Sequence, residues 1–328
     1  MAYRIACLRG DWRYRIDAHT RGVTLRNLAE VLGEHVSAQQ REQVAVDYFR
    51  LRACEIVDLM RLRGSGRALA RLMDIRGLEH LERALAAGHG AVLCTTHAGQ
   101  FAGAYSLIGA SGFPVTAVGN WPDTDDPSMS WLARILARFF YVGPLEHHRR
   151  PNIQPGRSGA MSAIQIAAVL RANEVIVVPI DAPIMDPCQL PRAAWVDFFG
   201  RQVRLLPGTV QVAKRTGAQV LTMVVERSDD WQHQVAHISP PIDIDGDPLA
   251  VFRSCMADLE APLHRRPAEW AQWESRQVLT NLGLVPGEVK KLPVYWDRHP
   301  DRRFIKNLSA KQDQRDQRSD APLYAERV

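Results

Sequence analysis

Two short, mostly apolar runs, AVLCTT at 91–96 and EVIVVPI at 174–180, limit the folds open to this chain more than any other feature. A strand that is apolar on every residue has no face for solvent, so it belongs inside a sheet covered on both sides. FPVTAVG (113–119) and QVLTMVV (219–225) read as further strands, and WVDFFGRQVRLL (195–206) as a hairpin. Between them MSWLARILARFF (129–140) places Leu132, Ile135, Leu136 and Phe139 on one helical face, and Ala160 to Leu170 and VQVAKRTG (210–217) are further helices. Strands alternating with helices predict an α/β fold: a mostly parallel central sheet flanked by helices, in a single domain over residues 1–297.

The first 88 or so residues read as helices. Leu25, Leu28, Leu32 and Val36 recur at helical spacing after Thr24, which is a candidate N-cap. Ser37 and Gln40 form a capping-box pattern before Val44, Tyr48, Leu51 and Ile56, and Gly64 and Gly66 close that helix. From Arg298 the chain is crowded with Arg, Lys, Asp and Gln, so residues 298–328 are expected to form a charged, flexible tail.

Apolar residues at 46% and charged residues at 23% exclude a wholly disordered chain, a collagen or a protein made of many membrane spans. The net charge of +5 permits anionic partners without requiring them. Five cysteines at 7, 54, 94, 188 and 255 are odd in number and lack metal-ligand spacing, which points to a reducing compartment rather than a disulfide framework. The first residues, MAYRIACLRGDWRYR, have no apolar core of a signal peptide, and no run is long enough for a transmembrane helix. The expected location is the cytoplasm, with peripheral contact at the inner face of the membrane as the alternative.

Two residues stand out by position. His97 directly follows AVLCTT, and Asp181 ends EVIVVPID, so each leaves the carboxyl end of a buried strand, where open α/β sheets bind their ligands. No Lys, Arg, Asp or Glu occurs between 91 and 122, so His97 sits in an apolar stretch that favours a neutral imidazole able to act as a base. A histidine after a strand also serves structurally, and an aspartate there also caps a turn. Nucleotide-cradle glycine motifs and the GxSxG elbow are absent. His147 and His148 are adjacent rather than four apart and lack acidic partners at ligand spacing, so no metal is expected. Cys94, on the buried strand, reads as a small hydrophobe.

GHGAVLCTTHAGQFAGA resembles the first motif of the bacterial lipid A late acyltransferases and their mycobacterial relatives, a branch of the lysophospholipid acyltransferase superfamily. EVIVVPIDAP, WVDFFGRQVRLLPGTVQVAKRTGAQVLTMVVER and PLHRRPAEWAQWESR resemble later segments of the same family, in order, over roughly residues 20–280. The resemblance implies transfer of an acyl group from a thioester to a hydroxyl or amine, with His97 as general base. The family's orienting acid falls at Ala102, which has no group to offer, so Asp181 is the nearest replacement by topology. Gln100 stands as a donor to a carbonyl or oxyanion. Arg134, with Arg138 as its neighbour, and Arg157 stand as anion-binding residues.

Three functions are therefore open. One is a divergent soluble acyltransferase acting on a specialised metabolite, with no cofactor beyond an acyl-carrier-protein or acyl-CoA thioester, or an aminoacyl donor such as aminoacyl-tRNA. The second is a peripheral-membrane enzyme acylating a glycolipid or lysophospholipid. The third is an inactive module that binds an acyl chain or a partner. The lost acid and the missing N-terminal anchor of many relatives lead us to expect the first.

Overall fold

The computed structural model describes residues 1–33, 36–62, 70–119, 130–131, 135, 152–154, 160–184 and 187–275. Three helices come first: α1 (Ala2–Ile16), α2 (Ala18–Leu32) and α3 (Ala38–Leu62). They are followed by β1 (Met73–Arg76), α4 (Leu78–Ala86), β2 (Ala91–Thr95), α5 (Phe101–Ala110) and β3 (Val115–Ala117). After α6 (Ala160–Arg171) and β4 (Val175–Pro179) come β5 (Ala194–Phe198), β6 (Arg201–Leu205) and α7 (Gly208–Thr216). β7 (Gln219–Arg227), β8 (Gln234–Ile238), α8 (Pro248–Arg265) and the 3-10 turns Pro267–Glu269 and Ala271–Glu274 complete the described chain. The expected tail at 298–328 lies outside the described residues, as do Gly64 and Gly66.

Six strands form one sheet in the order β1-β8-β7-β2-β4-β3. Every neighbouring pair is parallel except β7 with β8. The two runs that set the expectation, β2 and β4, are central and adjacent. β2 is buried along its whole length, as its sequence requires. Its side chains alternate between two cores. Val92 and Cys94 join Ile176 and Val178 of β4 on a face covered by α2, α3, α6, α7 and α8. Ala91 and Leu93 join Val175 and Val177 on the other face, under α4 and α5. β5 and β6 form the expected hairpin, turning through Phe199 and Gly200, both at positive φ.

Two expectations need correction. Thr24 is not an N-cap: it lies buried within α2, which starts six residues earlier because the Asp17 side chain accepts the Thr20 N–H at 3.0 Å. The first 88 residues are also not wholly helical, since β1 lies among them and pairs with β8 at the sheet edge. The capping box at α3 forms as expected: the Ser37 N–H reaches Gln40 Oε1 at 2.8 Å, and the Gln40 N–H reaches Ser37 Oγ at 3.2 Å.

The helical N-terminal layer supports the sheet's carboxyl edge by holding the segment after α8. Asn27 of α2 donates to the carbonyls of Trp273 (2.8 Å) and Ser275 (3.1 Å), and the Tyr48 hydroxyl of α3 donates to the Ala271 carbonyl at 3.0 Å. Behind them runs a buried polar chain. Asp58 of α3 pairs with Arg227 of β7 and accepts from Tyr3 of α1 (2.6 Å) and Gln234 of β8 (3.2 Å). Gln234 in turn accepts the Gln100 backbone N–H at 2.9 Å. Through Gln234, this network holds the backbone at the start of α5.

Candidate active site

β2 and β4 run parallel with Thr95 opposite Pro179. His97 and Asp181 are each two residues beyond that pair, so the register alone brings them together at the sheet's carboxyl edge. The His97 Nδ1 lies 2.7 Å from Asp181 Oδ1. The His97 backbone N–H also points at the carboxylate, 3.1 Å from Oδ1 and 3.0 Å from Oδ2. Asp181 Oδ2 accepts a third donor, the indole N–H of Trp270, at 2.7 Å.

The Asp181 side chain has no exposed surface, whereas that of His97 is 24% exposed. Burial alone would push the Asp181 carboxyl up. The charge of His97 and the hydrogen bonds from its ring, from Trp270 and from the His97 backbone outweigh that and hold it below the ordinary carboxylate value. An ionised carboxylate only accepts, so Nδ1 carries a proton, and in the neutral form of the ring the lone pair is then on Nε2. Among the described residues nothing bonds to Nε2. A base of this kind can take a proton from a hydroxyl or amine arriving at the ring's open side.

The loop carrying His97 is fastened on both sides. Ala98 bridges Trp270, and the Ala271 N–H reaches the His97 carbonyl at 2.7 Å. Gly99 has a φ of +55°, and a Cβ there would lie 2.8 Å from the Val225 carbonyl oxygen of β7, so only glycine fits. The Phe101 ring stands edge-on to the imidazole at 5.5 Å. Trp270 is itself wedged among Phe198, Phe199 and Trp273, with centroids 4.8–5.5 Å away. Rings packed this closely fix the direction of the indole N–H.

A family profile for "Bacterial lipid A biosynthesis acyltransferase" matches residues 1–279. The chain belongs to that family. It is similar to a lipid A biosynthesis acyltransferase of Haemophilus influenzae, 25% identical over 237 residues covering 72% of this chain and 69% of that protein. It is also similar to a phosphatidylinositol mannoside acyltransferase of Mycobacterium tuberculosis strain H37Rv, 31% identical over 211 residues covering 62% of this chain and 60% of that protein. As a member of this family the chain is an acyltransferase.

In this acyltransferase Ala102 lies in the first turn of α5, packed against the core under that helix, and its carbonyl accepts the Ser106 hydroxyl at 2.8 Å. The ring nitrogen Nδ1 of His97 is held by Asp181. Gln100 is buried at the entrance to α5, three residues from His97. Arg134, Arg138 and Arg157, expected at an anion subsite, lie outside the described residues, as do His147 and His148. Cys94 is fully buried; its hydrogen bond with Cys255 and its burial push the thiol well above the ordinary value, so it is no nucleophile. Trp270 was not singled out from sequence. Its only signal was its place in PAEWAQW, and nothing along the chain links residue 270 to residue 97.

Proposed function

We propose that this acyltransferase moves an acyl group from a thioester donor to a hydroxyl of a membrane lipid, with His97 as general base and Asp181 as its orienting acid. The observation that carries the reading is the 2.7 Å contact between His97 Nδ1 and a carboxylate with no exposed surface, which leaves Nε2 on the ring's accessible side. The Nε2 lone pair takes the acceptor's proton as its oxygen attacks the thioester carbonyl carbon. The resulting imidazolium is stabilised by Asp181 and passes the proton to the departing sulfur as the C–S bond breaks. Gln100, three residues after His97, donates to the carbonyl oxygen while it carries negative charge.

Two considerations favour a lipid acceptor over the soluble metabolite expected from sequence. Both relatives are named for lipid substrates. The lost acid at 102, which had suggested an amine acceptor or an inactive binder, has a counterpart in Asp181. The test is product analysis by mass spectrometry, offering acyl-carrier-protein and acyl-CoA thioesters with glycolipid, lysophospholipid and soluble amine acceptors. An acylated lipid supports the reading. Acylation of the soluble amine alone, or thioester bound without turnover, overturns it.

A further inference from the structure

α1 and α3 lie antiparallel, and their contact can be followed residue by residue. The Tyr3 hydroxyl donates to Asp58 at 2.6 Å. One turn further along α1, the Sγ atoms of Cys7 and Cys54 are 3.8 Å apart. At the next turn a Cβ on Gly10 would lie 2.6 Å from the Arg50 Cα, so the two backbones touch. Asp11 then pairs with Arg50 at 2.6 Å, and the Tyr14 ring stands edge-on to Phe49 at 5.4 Å. Two cysteines can be bridged only where the backbones run this close, with Cα atoms about 4.4–6.8 Å apart and the side chains facing each other. The glycine at position 10 supplies the close approach, and the sulfur contact shows the facing side chains.

The two thiols differ in access, and that difference orders their chemistry. Cys7 is partly exposed, whereas Cys54 has no exposed surface and lies in a small core with Tyr3, Ala6 and Ala53. Burial, with the charge and hydrogen bond of Cys7 adding to it, pushes the Cys54 thiol up to about 12, so it stays protonated near neutrality. Cys7 is therefore the sulfur that an oxidant in solution reaches first. A second hydrogen-bonded pair, Cys94 and Cys255, is fully buried in the core between β2 and α8, away from any such oxidant.

We infer that Cys7 and Cys54 are a reversible modification site, a dithiol that a small peroxide converts to a disulfide joining α1 to α3. The Cys7 thiolate attacks one oxygen of hydrogen peroxide; the O–O bond breaks, hydroxide leaves with the thiol's proton as water, and Cys7 becomes a sulfenic acid. The Cys54 sulfur then attacks the Cys7 sulfur. The S–S bond forms, the S–O bond breaks, and the departing oxygen takes the Cys54 proton and leaves as a second water. The two thiols lose two electrons, which the peroxide gains. Once oxidised, Cys7 no longer places a negative charge beside Cys54, which eases the second step. In a reducing compartment the dithiol is the resting form, and two molecules of a small thiol such as glutathione restore it as they become their own disulfide. The bridge closes a 47-residue loop and holds α1 against the helix that carries Tyr48 and Asp58. The inference rests on the contact between α1 and α3 and stands apart from the chemistry at His97.

The test is peptide mapping by mass spectrometry of the folded full chain after exposure to hydrogen peroxide near neutral pH, with free thiols blocked and no reductant in the digest. Trypsin, cutting after arginine, leaves Cys7 in the peptide 5–9 and Cys54 in the peptide 53–61. The expected product is these two peptides joined, lighter than their sum by two hydrogens and parted again by dithiothreitol, with Cys94 and Cys255 still thiols. The melting temperature is expected to rise by about 3–6 °C on oxidation and to fall back on reduction. Cys7→Ser and Cys54→Ser, shown by circular dichroism to be folded, are expected to show no rise, and the peptide map of the wild-type chain needs no variant. Cys7 carried on to a sulfinic acid while Cys54 is still a thiol overturns the inference. So does either cysteine joined to Cys188, or both left as thiols once the exposed Cys188 has been oxidised. Joined peptides with no rise in melting temperature also overturn it, because the bridge would then come from an unfolded fraction.

Discussion

Replacing Asp181 by asparagine changes one atom and tests the site most finely. The carboxylate receives the His97 ring N–H, the His97 backbone N–H and the Trp270 indole N–H on its two oxygens. Asparagine has one oxygen for these donors. With that oxygen toward the imidazole, its NH2 group confronts the indole N–H. With the NH2 toward the imidazole, the ring must adopt the other tautomer and Nε2 carries a proton it cannot accept. We expect kcat to fall on the order of a thousand- to ten-thousand-fold, the range for a base held in the wrong tautomer. A donor left facing a donor in a fully buried site costs about 2–4 kcal/mol of stability. In a chain of this size that lowers Tm by roughly 3–6 °C. The folded Asp181 carboxyl is held low, so its contribution is present above the ordinary carboxylate range and is lost as pH falls through the folded value. The gap in Tm between wild type and variant is therefore expected to be steady near neutrality and to close below about pH 4. Steady-state transfer assays and thermal melts across pH measure both effects. Wild-type kcat in Asp181→Asn would refute the reasoning, because the ring would then be oriented by something else.

Trp270→Phe keeps an aromatic ring in the cluster but removes the indole N–H, so kcat is expected to fall about ten-fold with KM unchanged. Steady-state kinetics check this, and a change confined to KM would place Trp270 at the substrate instead. Ala102→Glu is expected to bring no gain in kcat, because Asp181 already holds Nδ1; a gain of about ten-fold or more would show the orienting role unfilled. Glu269 is pushed up to about 7, chiefly by burial. A raised carboxyl keeps a proton that the unfolded chain has released, so its stabilising contribution is full below the ordinary value and is lost as pH rises through about 7. Glu269→Gln is therefore expected to gain on wild type in thermal melts as pH rises from acid to above neutrality, by on the order of 2–3 kcal/mol.

How much of this was legible in the sequence depended on range along the chain. β2 and β4 were readable because strands buried on both faces are apolar at every residue. His97 and Asp181 followed because a parallel register carries the two strand ends to the same edge. β1 was hidden because only four residues long, with Asp74 and Arg76 exposed at the sheet edge, it has no apolar run to show. Thr24 was misread because its apolar spacing belongs to the middle of a longer helix, whose start lies at Asp17 in a polar stretch. Trp270 was out of reach for a different reason. It arrives at Asp181 from 89 residues further on, held by Asn27 and Tyr48 of the N-terminal helices, and no local pattern encodes that return. Ala102 was visible as a loss, but its counterpart could be named only by topology until the distance to Asp181 was known.

The central claim is that His97 takes the acceptor's proton. It is tested most directly by following thiol release from an acyl thioester in the presence of acceptor, with wild type and His97→Ala compared at equal concentration and with folding checked by circular dichroism. The account predicts acceptor-dependent thiol release by wild type, reduced on the order of a hundred- to ten-thousand-fold in folded His97→Ala. Equal release by the two proteins would contradict it.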